Sequence, residues 1–116
     1  MNDALAFYRD ALGLEQRELW EGDDGRGAVL EAGKATLELI DERHANAVDR
    51  IEVGRRIAGP VRLALEVEDS EATAQRLAEA GAELLAGPTE TPWRHRNVRL
   101  RAPDGMQLTL FTVLDA

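Results

Sequence analysis

The sequence predicts an α+β fold built from two copies of one unit. Each half of the chain shows a helical pattern followed by three strand patterns. Matching features also recur at a nearly constant spacing. Leu12-Gly13 corresponds to Ala80-Gly81, 68 residues later, and Leu37–Leu39 corresponds to Leu108–Leu110, 71 residues later. An alternating strand at Val61–Val67 precedes the second copy, so that copy has the order βαβββ and the first copy lacks its opening strand.

The first unit is predicted to begin with a helix. Leu5, Tyr8 and Leu12 recur at helical spacing with Phe7 beside them, so both aromatic side chains are expected in the core. Asp3 is expected to cap the helix, because its carboxylate can accept backbone N–H groups of the first turn. Three strands are predicted to follow, over residues 14–21, 27–31 and 35–40, with a glycine-rich turn at 22–25.

The second unit is predicted to start with a half-buried strand, because the apolar residues of Val61–Val67 alternate with polar ones. Asp69 or Ser70 is expected to cap a helix that ends at Ala80. Strands are predicted over residues 82–86, 97–101 and 106–113, with a loop at 87–92. Residues 41–59 are polar and weakly patterned. The predicted division of a single domain 1–116 is therefore a first unit 1–40, a linker 41–60 with room for a short helix, and a second unit 61–116.

Composition excludes several classes of function. The chain of 116 residues has 14 Lys and Arg against 22 Asp and Glu, a net charge of −8, which argues against binding to nucleic acid or to an anionic membrane surface. The chain has no cysteine, so disulfides and thiolate sites are excluded. Without a membrane-length apolar run or a signal-peptide pattern at the N-terminus, a cytoplasmic location is expected.

Three segments within the repeated unit resemble the vicinal oxygen chelate superfamily, which contains glyoxalase I, bleomycin-resistance proteins and extradiol dioxygenases. They are FYRDALGL at residues 7–14, LALEV at 63–67 and PDG at 103–105 leading into LTLF. The resemblance implies that each unit curls a mixed sheet into half of a cup with the helices on the outer face. It also implies a homodimer. For the missing opening strand three explanations are open: a segment upstream of Met1 supplies it, a partner chain supplies it, or the fold tolerates the gap.

The resemblance also implies four positions for metal ligands in the catalytic members. One lies on the opening strand that the first unit lacks, and Glu38 matches the second. The third and fourth are occupied by Arg62 and Thr109, which are not metal ligands. One carboxylate is too few for a catalytic metal site, and a guanidinium places a fixed positive charge there. We therefore expect no metal and no cofactor, and we expect Glu38 either to pair with Arg62 or to contact a ligand.

The residues expected to bind a ligand lie on the predicted pocket face and in a loop beside it. They are Glu38, Arg62, Trp93, Thr109 and Phe111. Trp93 can stack on a planar ligand with Arg94 or Arg96 meeting an anionic group, or it can simply pack on the rim of the cup. His95, in the same loop, is the better of the two histidines as a candidate base.

The function predicted from the sequence is metal-free binding of a small organic molecule, by sequestration in the manner of bleomycin-resistance proteins. The sequence disfavours an enzymatic function, and no catalytic residue is predicted from it. An alternative is a metal-dependent lyase, isomerase or dioxygenase that uses ligands from an upstream strand or a partner chain. A third possibility is a scaffold whose cup is filled by its own side chains.

Overall fold

The computed structural model describes residues 1–114 and confirms an α+β fold with the predicted repeat. The chain divides into two compact units, the first ending at Val48 and the second beginning at Asp49. The first holds an N-terminal helical segment and three strands, and the second holds a helix and four strands. The division at residue 49 falls within a further helix, Glu42–Glu52. That all residues form a single domain remains a prediction. No helix within residues 1–114 is long and apolar enough to cross a membrane.

The first unit lacks an opening strand in its described residues, as predicted. A short helix α1 (Asn2–Ala4) continues into a π-helix (Leu5–Ala11). The three strands β1 (Gln16–Gly22), β2 (Gly25–Ala32) and β3 (Ala35–Ile40) form an antiparallel sheet in the order β1-β2-β3. β2 is the most buried of the three because it has a neighbour on each side.

Two predictions about the first helix are wrong. Phe7 is 63% exposed and Tyr8 is 36% exposed, so neither belongs to the core, whereas Leu5 is buried. The two rings instead pack edge to face with centroids 5.0 Å apart. Asp3 does not cap the helix: Met1 stands at the N-cap, and Asp3 lies two residues further along, within the first turn. The helix is only about ten residues long and winds as a π-helix, so the apolar spacing expected for an α-helix does not describe its buried face.

The second unit forms a four-stranded mixed sheet in the order β4-β7-β6-β5. The elements are β4 (Leu63–Glu66), helix α3 (Ser70–Glu79), β5 (Glu83–Glu90), β6 (His95–Arg101) and β7 (Gln107–Val113). β4 pairs in parallel with β7, and the other neighbours are antiparallel. Asp69 is the predicted cap of α3, and its side chain accepts a hydrogen bond from the N–H of Ala72.

The core of this unit lies between α3 and one face of the sheet. Its buried members are Ala74, Val98, Leu100 and Leu110, with Val67, Leu77 and Ala82 packed against them. The prediction of a half-buried opening strand is wrong, because all four residues of β4 are exposed. β4 is an edge strand, and the core cluster under α3 is drawn from β6 and β7.

Two segments differ from their predicted structure. The predicted loop 87–92 is partly strand, since β5 runs to Glu90 through two register shifts. The predicted linker contains an eleven-residue helix, α2 (Glu42–Glu52). Its last turn buries Asp49 and Glu52, which are 1% and 5% exposed. Ala47 and Val48 are buried as well, so the buried residues of α2 mix apolar with acidic side chains, and this is why the sequence pattern looked weak.

Candidate functional site

One face of the second sheet carries polar side chains, and the opposite face carries the core. Residues that pair across neighbouring strands share a face. Thr109 of β7 pairs with Arg99 of β6 and with Ala64 of β4, while Phe111 pairs with Asn97. We call this surface of β4, β6 and β7 the polar face. It contains the predicted site residues Thr109 and Phe111.

Arg62 and Thr109, the two predicted replacements of metal ligands, contact each other. Nη1 of Arg62 donates a hydrogen bond to Oγ1 of Thr109. Arg62 is half-buried and Thr109 is 2% exposed. A guanidinium at this point does not fit a divalent cation, because it is permanently charged and offers no lone pair. Within residues 1–114 no three His, Cys, Asp or Glu side chains are grouped so as to hold a metal.

A second, fully buried guanidinium lies on the polar face beside Thr109. Arg99 is 1% exposed. Its Nη1 donates to Oδ1 of Asp49 at 2.9 Å, and its Nη2 donates to Oε1 of Glu52 at 2.9 Å. Oε1 of Gln107 lies 3.4 Å from Nη1. Both carboxylates come from the last turn of α2, so that turn is held against the polar face by ion pairs.

Asp49 also accepts hydrogen bonds from the backbone of the segment that follows α2. Its Oδ2 accepts backbone N–H groups from Ile57 at 2.9 Å and Ala58 at 2.7 Å, and Nε of Arg56 lies 3.6 Å away. Burial alone raises the pKa of this carboxyl. The two backbone donors and the Arg99 guanidinium outweigh burial, so the pKa of Asp49 lies below its ordinary value.

The end of the polar face near residue 95 is aromatic. The rings of His95 and Phe111 stack with centroids 4.7 Å apart and planes 15° apart. The turn before β6 is held by Thr91, whose Oγ1 accepts the N–H of His95 at 3.1 Å. Arg94 in this turn has φ of 65°, a left-handed conformation that costs energy in a residue with a side chain. Trp93, in the same turn, is 41% exposed.

The predicted site residues therefore fall into three groups. Arg62 and Thr109 are in contact, and Phe111 lies one pair further along the same face. Trp93 lies in the turn that leads into β6. Glu38 lies on β3 of the first unit, where it is exposed, and its predicted pairing with Arg62 remains a prediction.

Two open cavities in the second unit lie elsewhere. One of about 330 Å³ is lined by Glu68, Asp69, Glu71, Arg96 and Thr112. Another of about 260 Å³ lies between α3 and β5, and its lining includes Ala74, Ala78, Leu84, Pro88 and Val98. The five predicted site residues line neither cavity. The second cavity is on the α3 side of the sheet, opposite the polar face.

Comparison with known proteins identifies the family. The model of the glyoxalase/bleomycin resistance protein/dioxygenase superfamily matches residues 1–110. The chain belongs to this superfamily. As a superfamily member it has the repeated unit described above. A search of the curated proteins gave no match.

Solved structures share the superfamily fold with this chain. A hypothetical protein from Bacillus halodurans C-125 aligns with a TM-score of 0.69 at 19% identity, over 100% of this chain and 88% of its own. An uncharacterized protein from Methanosarcina mazei aligns with a TM-score of 0.53 at 19% identity, over 100% and 85%. These likenesses support the fold and assign no ligand.

Sequence reasoning missed Asp49, Glu52 and the burial of Arg99. A partial signal was available, because Arg99 lies between Val98 and Leu100 and so is expected on the face of the strand opposite those apolar side chains. The acidic partners gave no comparable signal, since they lie in a segment interpreted as a linker.

Proposed function

We propose that this superfamily member binds a small organic molecule without a metal ion. The observation that supports the proposal is the hydrogen bond from Arg62 to Thr109 at the positions where catalytic members hold a metal. Arg99, paired in register with Thr109, adds a second guanidinium to the same face. The fixed positive charge of Arg62 disfavours a divalent cation and favours a carboxylate or another polar group of an organic ligand, whereas the charge of Arg99 is balanced by Asp49 and Glu52.

The ligand in this proposal has a planar ring system and one polar group. The stacked rings of His95 and Phe111 offer an apolar surface at one end of the polar face, and Trp93 stands in the adjoining turn. Arg62 and Thr109 supply the polar contacts. Sequestration of the ligand by a cytoplasmic homodimer is the form of binding that we favour.

The test combines metal analysis with a ligand screen on untagged full-length protein. Metal content per chain is measured first, and thermal unfolding is then followed with Mn²⁺, Fe²⁺, Ni²⁺ and Zn²⁺. We expect substoichiometric metal and no stabilisation by any ion. A panel of small aromatic acids, amines and alcohols is screened in the same assay, and at least one class is expected to raise Tm.

Variants at the predicted contacts separate binding from nonspecific stabilisation. For a compound that raises Tm, Arg62→Ala and Trp93→Ala are expected to weaken binding, whereas Arg17→Ala on the exposed surface of β1 is not. Stoichiometric metal, or strong stabilisation by one ion, would instead support the metal-dependent enzyme. If both site variants bind the compound like the wild type, the assignment of these residues is wrong.

A further inference from the structure

The polar face of the second unit is covered by its own chain. Residues 49–58, here called the covering segment, comprise the last turn of α2 and the irregular stretch that follows it. Asp49 and Glu52 bind Arg99, and the carbonyl oxygen of Ile57 accepts a hydrogen bond from Nε2 of Gln107 at 2.6 Å. With this segment in place, Arg99, Gln107 and Thr109 are all at least nine-tenths buried.

The covering segment is held largely by polar contacts. Beyond Glu52, residues 54–56 are exposed, and the chain turns at Gly54, which has φ of 92°. The segment closes on itself through Asp49, which accepts the N–H groups of Ile57 and Ala58. A short irregular segment with exposed residues opens more easily than the core of a structure.

The covering segment does not supply a hydrogen-bond partner for every buried polar atom of the polar face. Nε of Arg99 and Oδ1 of Asn97 are buried atoms with no hydrogen-bond partner. The two residues are 1% and 4% exposed and occupy successive positions on the polar face of β6. An unpaired buried donor and an unpaired buried acceptor each destabilise the closed arrangement, so this face has binding capacity that the covering segment leaves unused.

We infer that the covering segment is an internal competitor, and that an aromatic carboxylate binds the polar face by displacing Asp49 and Glu52 from Arg99. The inference rests on the proposed function and deepens it by naming the ligand class and the regulation of its site. A ligand carboxylate reproduces the ion pair that Arg99 makes with the segment. Its ring then lies toward the stacked His95 and Phe111 on the same face.

Competition has a definite energetic consequence. For a ligand that binds only the open state, the apparent Kd equals the intrinsic Kd divided by the fraction of molecules that are open. Removing one of the two competing charges raises that fraction and tightens binding. Removing a carboxylate that merely stabilises a preformed ligand site would weaken binding instead. The direction of the change therefore distinguishes a competitor from a supporting residue.

The experiment measures benzoate binding by calorimetry to wild type and to Glu52→Gln, which keeps an oxygen facing Arg99 but removes the charge. We expect the Kd of Glu52→Gln to be lower by about tenfold. Benzyl alcohol, which has the ring but no charge, should show no such gain. Glu83→Gln is the matched control, because Glu83 also pairs with an arginine of β6, Arg101, but at the exposed surface. Its Kd should equal that of the wild type.

Hydrogen exchange on the wild type gives an independent readout if Glu52→Gln does not fold. Saturating benzoate should speed exchange at the amides of Ile57 and Ala58, which Asp49 protects when the segment is closed. Slower exchange at these amides, or an unchanged or higher Kd in Glu52→Gln, would overturn the inference. If benzoate binds neither protein, this inference fails, while a neutral or cationic compound that binds without metal leaves the proposed function standing.

Discussion

The closing strands of the two units occupy matching places in the repeat and differ sharply in burial. β3 of the first unit pairs only with β2 within the described residues, and its ligand-type residue Glu38 is exposed. β7 of the second unit lies between β4 and β6, and Thr109, at the matching position, is 2% exposed. Thr109 is buried beside Arg99 because β7 has a neighbouring strand on each side. Glu38 is exposed because β3, within the described residues, has a neighbour on one side.

The difference shows how one unit can change its chemistry while keeping its fold. In the second unit the position that matches Glu38 is a threonine, and the buried or half-buried charges beside it come from Arg62, Arg99, Asp49 and Glu52. The negative partners belong to α2, outside the sheet. In the first unit the carboxylate is kept on the strand itself. The comparison predicts that charge changes on the polar face affect stability strongly and that changes at Glu38 do not.

The largest effect is expected for Arg99→Met. This substitution removes the guanidinium that pairs with both Asp49 and Glu52, although Arg56 stays 3.6 Å from Asp49. Breaking a buried pair in this way costs about 3–5 kcal/mol. The measurement is the free energy of unfolding in urea. Arg101→Met is the matched control, because Arg101 is two residues along the same strand and pairs with Glu83 at the surface. Its loss should stay within about 1 kcal/mol, and equal losses in the two variants would contradict the comparison.

An intermediate effect is expected on acidification. The pKa of Asp49 in the folded protein lies below its value in the unfolded chain, which is about 3.9 for an aspartate. Its stabilising contribution is therefore complete above about pH 5 and is lost as the pH falls through 3.9 toward the folded pKa. The difference in unfolding free energy between wild type and Asp49→Asn should thus shrink below about pH 4.

Salt provides the control for the acid experiment. The pKa of Asp10 is also lowered, by its hydrogen bond to Arg9, but this pair is exposed. Any pH-dependent difference between wild type and Asp10→Asn should disappear at about 1 M NaCl, where the Debye length is about 3 Å. The difference for the buried Asp49 should persist. A difference for Asp49→Asn that does not change between pH 7 and pH 3 would contradict this account.

The sequence predicted the repeat and most strands because alternation and glycine turns are local signals. It also predicted that Phe111 shares a face with Thr109, which the pairing of β6 and β7 confirms, whereas the replacement of metal ligands by Arg62 and Thr109 stays a prediction. It could not predict the partners of Arg99. Asp49 lies 50 residues away along the chain, and a buried carboxylate on a helix looks like an ordinary solvated one in a sequence. The prediction that Phe7 and Tyr8 lie in the core was wrong for a different reason, because an apolar side chain in a short helix is not always buried.

The smallest effect, and the most direct test of the comparison, comes from the two matching positions themselves. Thr109→Val preserves the shape of the side chain but removes the oxygen that accepts from Arg62, and we expect a loss of about 1–2 kcal/mol in the free energy of unfolding. Glu38→Gln changes an exposed residue on an edge strand and should alter it by less than about 0.5 kcal/mol. A larger loss for Glu38→Gln than for Thr109→Val would mean that the carboxylate of the first unit, and not the polar face of the second, contributes more to stability.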